Sequence, residues 1–407
     1  MPLDDLLREG EHVMTVCNAC RYCEGYCPVF PAMEQQVAFA RGDLTYLANL
    51  CHNCGECLYA CQYAPPHEFG INVPATLARI RLRSYEEYSW PKAAGAAFRH
   101  HGVATTLAVI ALLTGILAAP TALSEPGRLW AAIPSGDFYS VVSHRVMVAV
   151  FGVVAAFAAT ALVVGVIRFW RDGTGHHSGW PTASAFFTAL REATTLTHLH
   201  GDGVDCTDSE EHRSHWRRWF HHATFYGFGL CFLSTTVAAF YHVVLGWHAP
   251  YGYASLPVVL GTVGGVGLVV GPAGLLALKR RRDPALGDAA QKGLDASFIL
   301  QLGLTSVSGL ALLALRTQPA MPGLLLLHLG CVLTLFVSMP YGKFVHGIYR
   351  TAALVKSRLD VVHPEPVEAD TPLAGSPTVA PHERPLTGTT AHILPTRGAS
   401  VSATIDG

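Results

Sequence analysis

The sequence predicts an all-α protein in two parts, a small helical module rich in cysteine followed by a six-helix transmembrane bundle. Eight of its eleven cysteines fall in two copies of one pattern, Cys17-x2-Cys20-x2-Cys23-x3-Cys27 and Cys51-x2-Cys54-x2-Cys57-x3-Cys61. Half of the 407 residues are hydrophobic and only 14% are charged, against about a quarter in soluble domains. Cationic residues gather in alternate loops between six long apolar stretches, as they do in membrane proteins.

The cysteine runs come first. Three thiols within seven residues can wrap one face of an iron-sulfur cubane, while the fourth, after a longer gap, reaches the other cluster of a two-cluster ferredoxin. The spacing therefore predicts one [4Fe-4S] cluster on Cys17, Cys20, Cys23 and Cys61, and a second on Cys51, Cys54, Cys57 and Cys27. Disulfides fit poorly, because residues 1–10 carry no apolar signal region. Zinc sites favour two cysteine pairs separated by a longer gap. Pro28 follows Cys27 in the ferredoxin manner, whereas Gln62 follows Cys61. The module is expected over 1–63, with helix formers at 29–50, and a connector over 64–99 that carries a short basic helix near 75–83.

The membrane domain is expected over 100–350. Its six spans lie at about 102–119, 139–169, 220–245, 256–278, 294–315 and 322–348, each long enough to cross a bilayer. Loops on one side hold Arg79, Arg81, Arg83, Lys92, Arg99, Arg213, Arg217, Arg218, Lys279 to Arg282, Lys343 and Arg350, among others, whereas loops on the other side hold Arg128 and Arg316. The positive-inside rule places the cysteine module, a polar insertion at 171–218 and the C-terminus in the cytoplasm, hence in a bacterial inner membrane. Residues 363–407, rich in Pro, Thr, Ala and Ser, read as a disordered tail. Net charge is −1, and no basic surface suited to nucleic acid stands out.

Histidines occupy the span ends. His221 and His222 open the third span and His242 lies near its far end; His328 and His346 lie near opposite ends of the sixth. On one continuous helix, 18 residues turn about 1,800° and rise roughly 27 Å, so His328 and His346 would share a face. Ionisable residues within spans are costly and are usually functional. The pattern predicts one or two b-type haems: an outer one on His242 and His328, with His144 as a rival ligand, and an inner one on His346 with His221 or His222. Tyr341 and Lys343 are candidate contacts for a quinone or a haem propionate. Span centres lack Asp and Glu, which disfavours an ion-coupled transporter. His198, His200, Cys206, His212 and His215 match no familiar metal spacing. The glycine run at 261–267 suits close helix contact, and Cys231 and Cys331 suit packing.

Four stretches carry a family resemblance: CNACRYCEGYCPVFPAM at 17–33, LCHNCGECLYACQYAPPHEF at 50–69, RWFHHATFYGF at 218–228 and PYGKFVHGIYR at 340–350. They look like the tricarballylate/citrate utilisation protein B family. The arrangement of His328, Pro340, Lys343 and His346 is similar, more distantly, to the last span of the nitrate reductase gamma and heterodisulfide reductase membrane subunits, which bind b haem. The resemblance implies a membrane redox partner of a soluble FAD-dependent tricarballylate dehydrogenase, passing electrons to the quinone pool. The chain itself carries no nucleotide or flavin motif, so any organic acid would be oxidised by that partner. Two other readings fit the same residues: a quinol-oxidising subunit of a cytoplasmic reductase, and a redox-sensing membrane transporter or regulator.

Overall fold

The computed structural model describes residues 3–172, 181–199, 206–207 and 213–362; the expected tail at 363–407 lies outside them. Helices α1 (Leu3–Cys20), α2 (Val29–Glu34), α3 (Arg41–Leu50), α4 (Glu56–Tyr59) and α5 (Val73–Tyr88) build the N-terminal module. Met14, Phe30, Leu44, Leu47 and Leu50 form its core, each at most 2% exposed. Burying side chains of this size contributes about 1.5–3 kcal/mol each. Asp43 accepts from the Ala40 backbone at the start of α3. Asn72 caps α5 by accepting from the Ala75 backbone, with Pro74 in the first turn.

The stretch expected as a connector belongs to this core. Leu77, Ile80, Leu82, Tyr85 and Tyr88 of α5 are buried in it, and α5 packs on α1 and α3. Helices α1 to α4 and two cysteine loops cannot close an apolar core alone, and the inward side of α5 completes it.

Six helices are long and apolar enough to cross a membrane: α6 (Lys92–Ser124), α7 (His144–Asp172), α9 (Trp216–Val243), α10 (Leu256–Arg281), α11 (Ala289–Ala314) and α12 (Met321–Ser338). Between α7 and α9 lie α8 (Ala183–Thr195) and two two-residue strands, β1 (Cys206–Thr207) and β2 (Arg213–Ser214), paired antiparallel. The described residues are otherwise helical or irregular, an all-α class. Arg145, in the first turn of α7, adds a cation at the end of the bundle that carries Arg128 and Arg316.

Small and polar residues tie the spans together. A Cβ on Gly264 of α10 would lie 2.7 Å from the Gly227 carbonyl oxygen of α9, so both glycines are needed for that approach. Thr106 and Ser297 share a hydrogen bond of 2.8 Å between α6 and α11. Gln301 donates to the Cys331 carbonyl at 2.6 Å, joining α11 to α12.

The sixth span is shorter than the hydropathy suggests. Its helix ends at Ser338, and a separate helix, α13 (Val345–Val362), restarts after the turn at 339–344. Pro340 has no amide to donate, and its ring clashes with the preceding helical turn. His328 and His346 therefore stand on different helices, and the one-face relation expected of a continuous span does not apply. Val345, Tyr349, Ala353, Leu354 and Val355 of α13 complete the core of the N-terminal module, so α13 roofs the bundle.

Candidate functional site

The two cysteine runs fold into loops that interleave their thiols. Cys17 lies beside Cys61, Cys23 and Cys20; burial first, then these neighbours, push its thiol up to about 12. Cys27 is half-buried with Cys54 and Cys51 nearby, and Cys57 has Cys54, Cys27 and Cys51 around it. Thiols so raised give up their protons readily only to a metal. Two small cavities lie among the thiols, one lined by Cys17, Cys20, Cys23, Cys57 and Cys61, the other by Cys27, Cys51, Cys54 and Cys57, so that Cys57 borders both. Among the described residues no three His, Cys, Asp or Glu side chains close on a single-ion site. Sulfurs spread around a small cavity suit a multi-iron cluster instead, and the all-thiol donor set fits that group. The Asn53 amide donates to Cys51 Sγ at 3.3 Å, and Gln62 Nε2 lies 3.9 Å from Cys20 Sγ. Hydrogen bonds to cluster sulfurs are one of the levers on potential.

The second run is held at the bundle surface by cations. Arg350 of α13 donates to the Cys51 carbonyl at 2.6 Å, and Arg81 of α5 donates to the same oxygen. Arg217, in the first turn of α9, donates to the carbonyls of Asn53 at 2.7 Å and His52 at 3.1 Å. Arg282, the residue after α10, donates to the Asn53 carbonyl at 2.5 Å. Asn53 has φ +52°, a left-handed conformation that Asn accepts more readily than most residues. Its side chain donates to the carbonyls of Pro74 at 3.1 Å and Leu286 at 3.0 Å. Burial and the neighbouring Arg81 lower Arg350 to about 10.

Below this loop opens a cavity of about 1,800 Å³, above the ~300–1,000 Å³ of ordinary small-molecule sites. His52, Arg217, His221, Asp295, Lys343 and His346 line it together with Phe225, Phe228 and Phe344. The His221 and His346 rings stand 6.0 Å apart, nearly perpendicular. His346 Nδ1 lies 2.5 Å from the Lys343 carbonyl, which fixes the tautomer and frees Nε2 to bind a metal. Burial, Lys343 and His221 hold His346 well below its usual range, hence neutral. His221 Nδ1 is buried without a partner. Two buried imidazoles with ring nitrogens free to bind iron are the donor set that would hold a b-type haem. His222 is outside the cavity lining and packs its ring on Tyr226.

At the far end of the bundle the grouping differs from the expected His242–His328 pair. His242 stacks on the rival, His144, with ring centres 4.2 Å apart, and its Nδ1 lies 3.1 Å from that of His248. Stacked rings this close leave no room for an iron between them. His328 instead meets α11, its Nδ1 3.1 Å from both Ser308 Oγ and the Thr305 carbonyl. His248 escaped the sequence reading, although it follows Trp247 directly after the span, where amphipathic residues settle.

Tyr341 and Lys343 part company. Tyr341 donates to the Trp90 carbonyl at 2.9 Å and stacks on Phe98, which makes it packing against α6 rather than cavity wall. Lys343 lines the cavity and pairs with Asp295 at 3.0 Å, and Lys279 pairs with the same carboxylate. Burial lowers Lys343 to about 8 against the opposing pull of Asp295. In the insertion, His198 packs on His52 with ring centres 5.6 Å apart and lies 3.3 Å from Glu192. His215 precedes α9, while the side chains of His200, Cys206 and His212 lie outside the described residues.

Fold and donors together define a membrane-spanning protein with a ferredoxin-like cysteine module on one end of its bundle. The model of the Citrate utilization protein B family matches residues 100–367, and that of its Fer4-like domain matches residues 10–87. The chain is 51% identical over 349 residues to Citrate utilization protein B of Escherichia coli, covering 86% of this chain and 91% of that protein. It belongs to the Citrate utilization protein B family. No solved structure matches it.

Proposed function

We propose that this chain relays electrons from a soluble FAD-dependent dehydrogenase of tricarballylate or a related tricarboxylate to the quinone pool, from a bacterial inner membrane with both termini in the cytoplasm. Cys17, Cys20, Cys23 and Cys61 would hold one [4Fe-4S] cluster, Cys27, Cys51, Cys54 and Cys57 a second, and His221 with His346 one b-type haem. Iron held in these ways changes oxidation state by single electrons, which a two-electron flavin needs in order to reach a membrane carrier. The observation that carries the reading is a shared wall: His52 and Asn53 of the second cysteine run line the same cavity as His221 and His346.

The residues around the cavity suit this work. Lys343 offers positive charge to a propionate group. Phe225, Phe228 and Phe344 exclude water from the ring. Lys343, lowered to about 8, can exchange a proton near neutral pH where a reduced quinone must gain one. The test is an anaerobic detergent preparation assayed for iron and sulfide, with reduced-minus-oxidised spectra before and after His346→Ala. Iron and sulfide for two cubanes, plus a b-type band that the substitution abolishes, is the expected result. A preparation with clusters but no haem band would remove the histidine half of the reading; one lacking iron and sulfide would remove all of it.

A further inference from the structure

The two cysteine runs are alike in spacing and unlike in surroundings. The first run is bonded within its own module: Gln62 reaches Cys20 Sγ, Asn18 donates to the Gln36 carbonyl at 3.0 Å, and Arg21 donates to the Asn18 carbonyl at 3.1 Å. It faces outward, with Tyr22 67% exposed. The second run is gripped from the bundle side. Arg217, Arg282 and Arg350, from three helices or their ends, together with Arg81 of α5, donate to the consecutive carbonyls of Cys51, His52 and Asn53. Cys54 is buried against Leu196 and Leu199 of the insertion, and Asn53 also donates to the Leu286 carbonyl after α10.

Building on the function proposed above, we propose that this arginine clamp makes the second cysteine run the output side of the module, and leaves the exposed first run as its input side. The clamp acts by position. Its donors fix the backbone of Cys51 to Asn53 against the wall of the cavity holding His221 and His346, while nothing of the bundle touches the first run in the contacts described. Charge-assisted hydrogen bonds are the stronger kind, and bonds from several elements to one short loop hold it more tightly than any one could. The flow balances by class of reactant: a two-electron-reduced flavoprotein is oxidised in two single-electron steps at the first run. A quinone takes the two electrons from the bundle side together with two protons.

The experiment uses the full chain in detergent with its clusters loaded and chemically reduced. A water-soluble quinone is mixed in, and electron paramagnetic resonance spectra are recorded on samples frozen at successive times. Cys20→Ser and Cys54→Ser, each altering one cluster's signal, assign the two spectra. The expected result is that the signal altered by Cys54→Ser disappears first. In the double variant Arg217→Gln, Arg282→Gln, quinone reoxidation slows several-fold, while ferricyanide reoxidation, which reaches the exposed run, keeps its rate. The inference is overturned if the Cys20-linked signal goes first, or if both oxidants slow together. Arg217→Lys serves where the double variant loses iron: retained charge with fewer donors should give an intermediate quinone rate, and an unchanged rate also overturns it. Absence of any cluster signal in the unaltered chain would instead strike the proposed function itself.

Discussion

Single side chains separate partners that sequence spacing leaves equivalent. His221 and His222 are neighbours at the start of α9, yet only His221 lines the cavity with His346, while His222 turns to Tyr226. His221→Ala should therefore abolish the b-type band in a reduced-minus-oxidised spectrum, and His222→Ala should leave it within the error of the haem content. Glu192 offers a test outside the bundle. Burial would raise its carboxyl, but hydrogen bonds from His198 and Arg358 prevail and hold it below its usual range. A carboxyl lowered in the folded state adds stability above its unfolded value near 4.3, and that stability is lost as pH falls through the folded value. Glu192→Gln should thus cost about 1 kcal/mol at pH 7, a figure that allows for the partly exposed Arg358. The gap between variant and unaltered chain should close below about pH 4, in thermal unfolding followed at both values.

Elements show what local pattern can and cannot reveal. The two cysteine runs were legible because each depends on spacing within eleven residues, and the six spans because hydropathy is a sum along the chain. The end of the last span was hidden: apolar residues continue through Phe344, Val345 and Ile348, and only Pro340 with Gly342 marks the break. The apolar face of α13 looks like membrane helix until the module core it fills is known. Arginine contacts such as Arg217 to the Asn53 carbonyl, 164 residues apart, leave no periodic trace. The glycine run was readable as close packing, and it yields a contrast. A Cβ at Gly264 would meet backbone of α9 at 2.7 and 2.8 Å, whereas one at Gly115 of α6 would meet nothing within 4 Å. Gly264→Val should destabilise the bundle by about 1–3 kcal/mol, and Gly115→Ala should be neutral or stabilising by up to about 1 kcal/mol. Retention of folded protein after graded heating in detergent would rank the two.

The whole molecule ties its topology to its wiring. The N-terminal module precedes the first span and α13 follows the sixth, yet Leu44 and Leu47 of α3 share one core with Ala353 and Leu354 of α13. Two segments that pack into one core stand on one side of a membrane, so the chain between them crosses it an even number of times. This agrees with the six helices long and apolar enough to do so. It also means the charge asymmetry needs to settle only one sign, because the module, the turn at 339–344 and α13 move as a group. The positive-inside rule predicts the cytoplasm for that group, as proposed above, where reducing conditions would also keep thiols available to iron. An impermeant maleimide should then label Ser135→Cys, in the α6–α7 connection, in intact cells, and Val37→Cys, fully exposed on the module, only after lysis. Native cysteines of the module would share the protected side, so they add no background before lysis. Labelling of Val37→Cys in intact cells would invert the assignment and place the cysteine module, with the input side proposed for it, out of reach of any cytoplasmic flavoprotein.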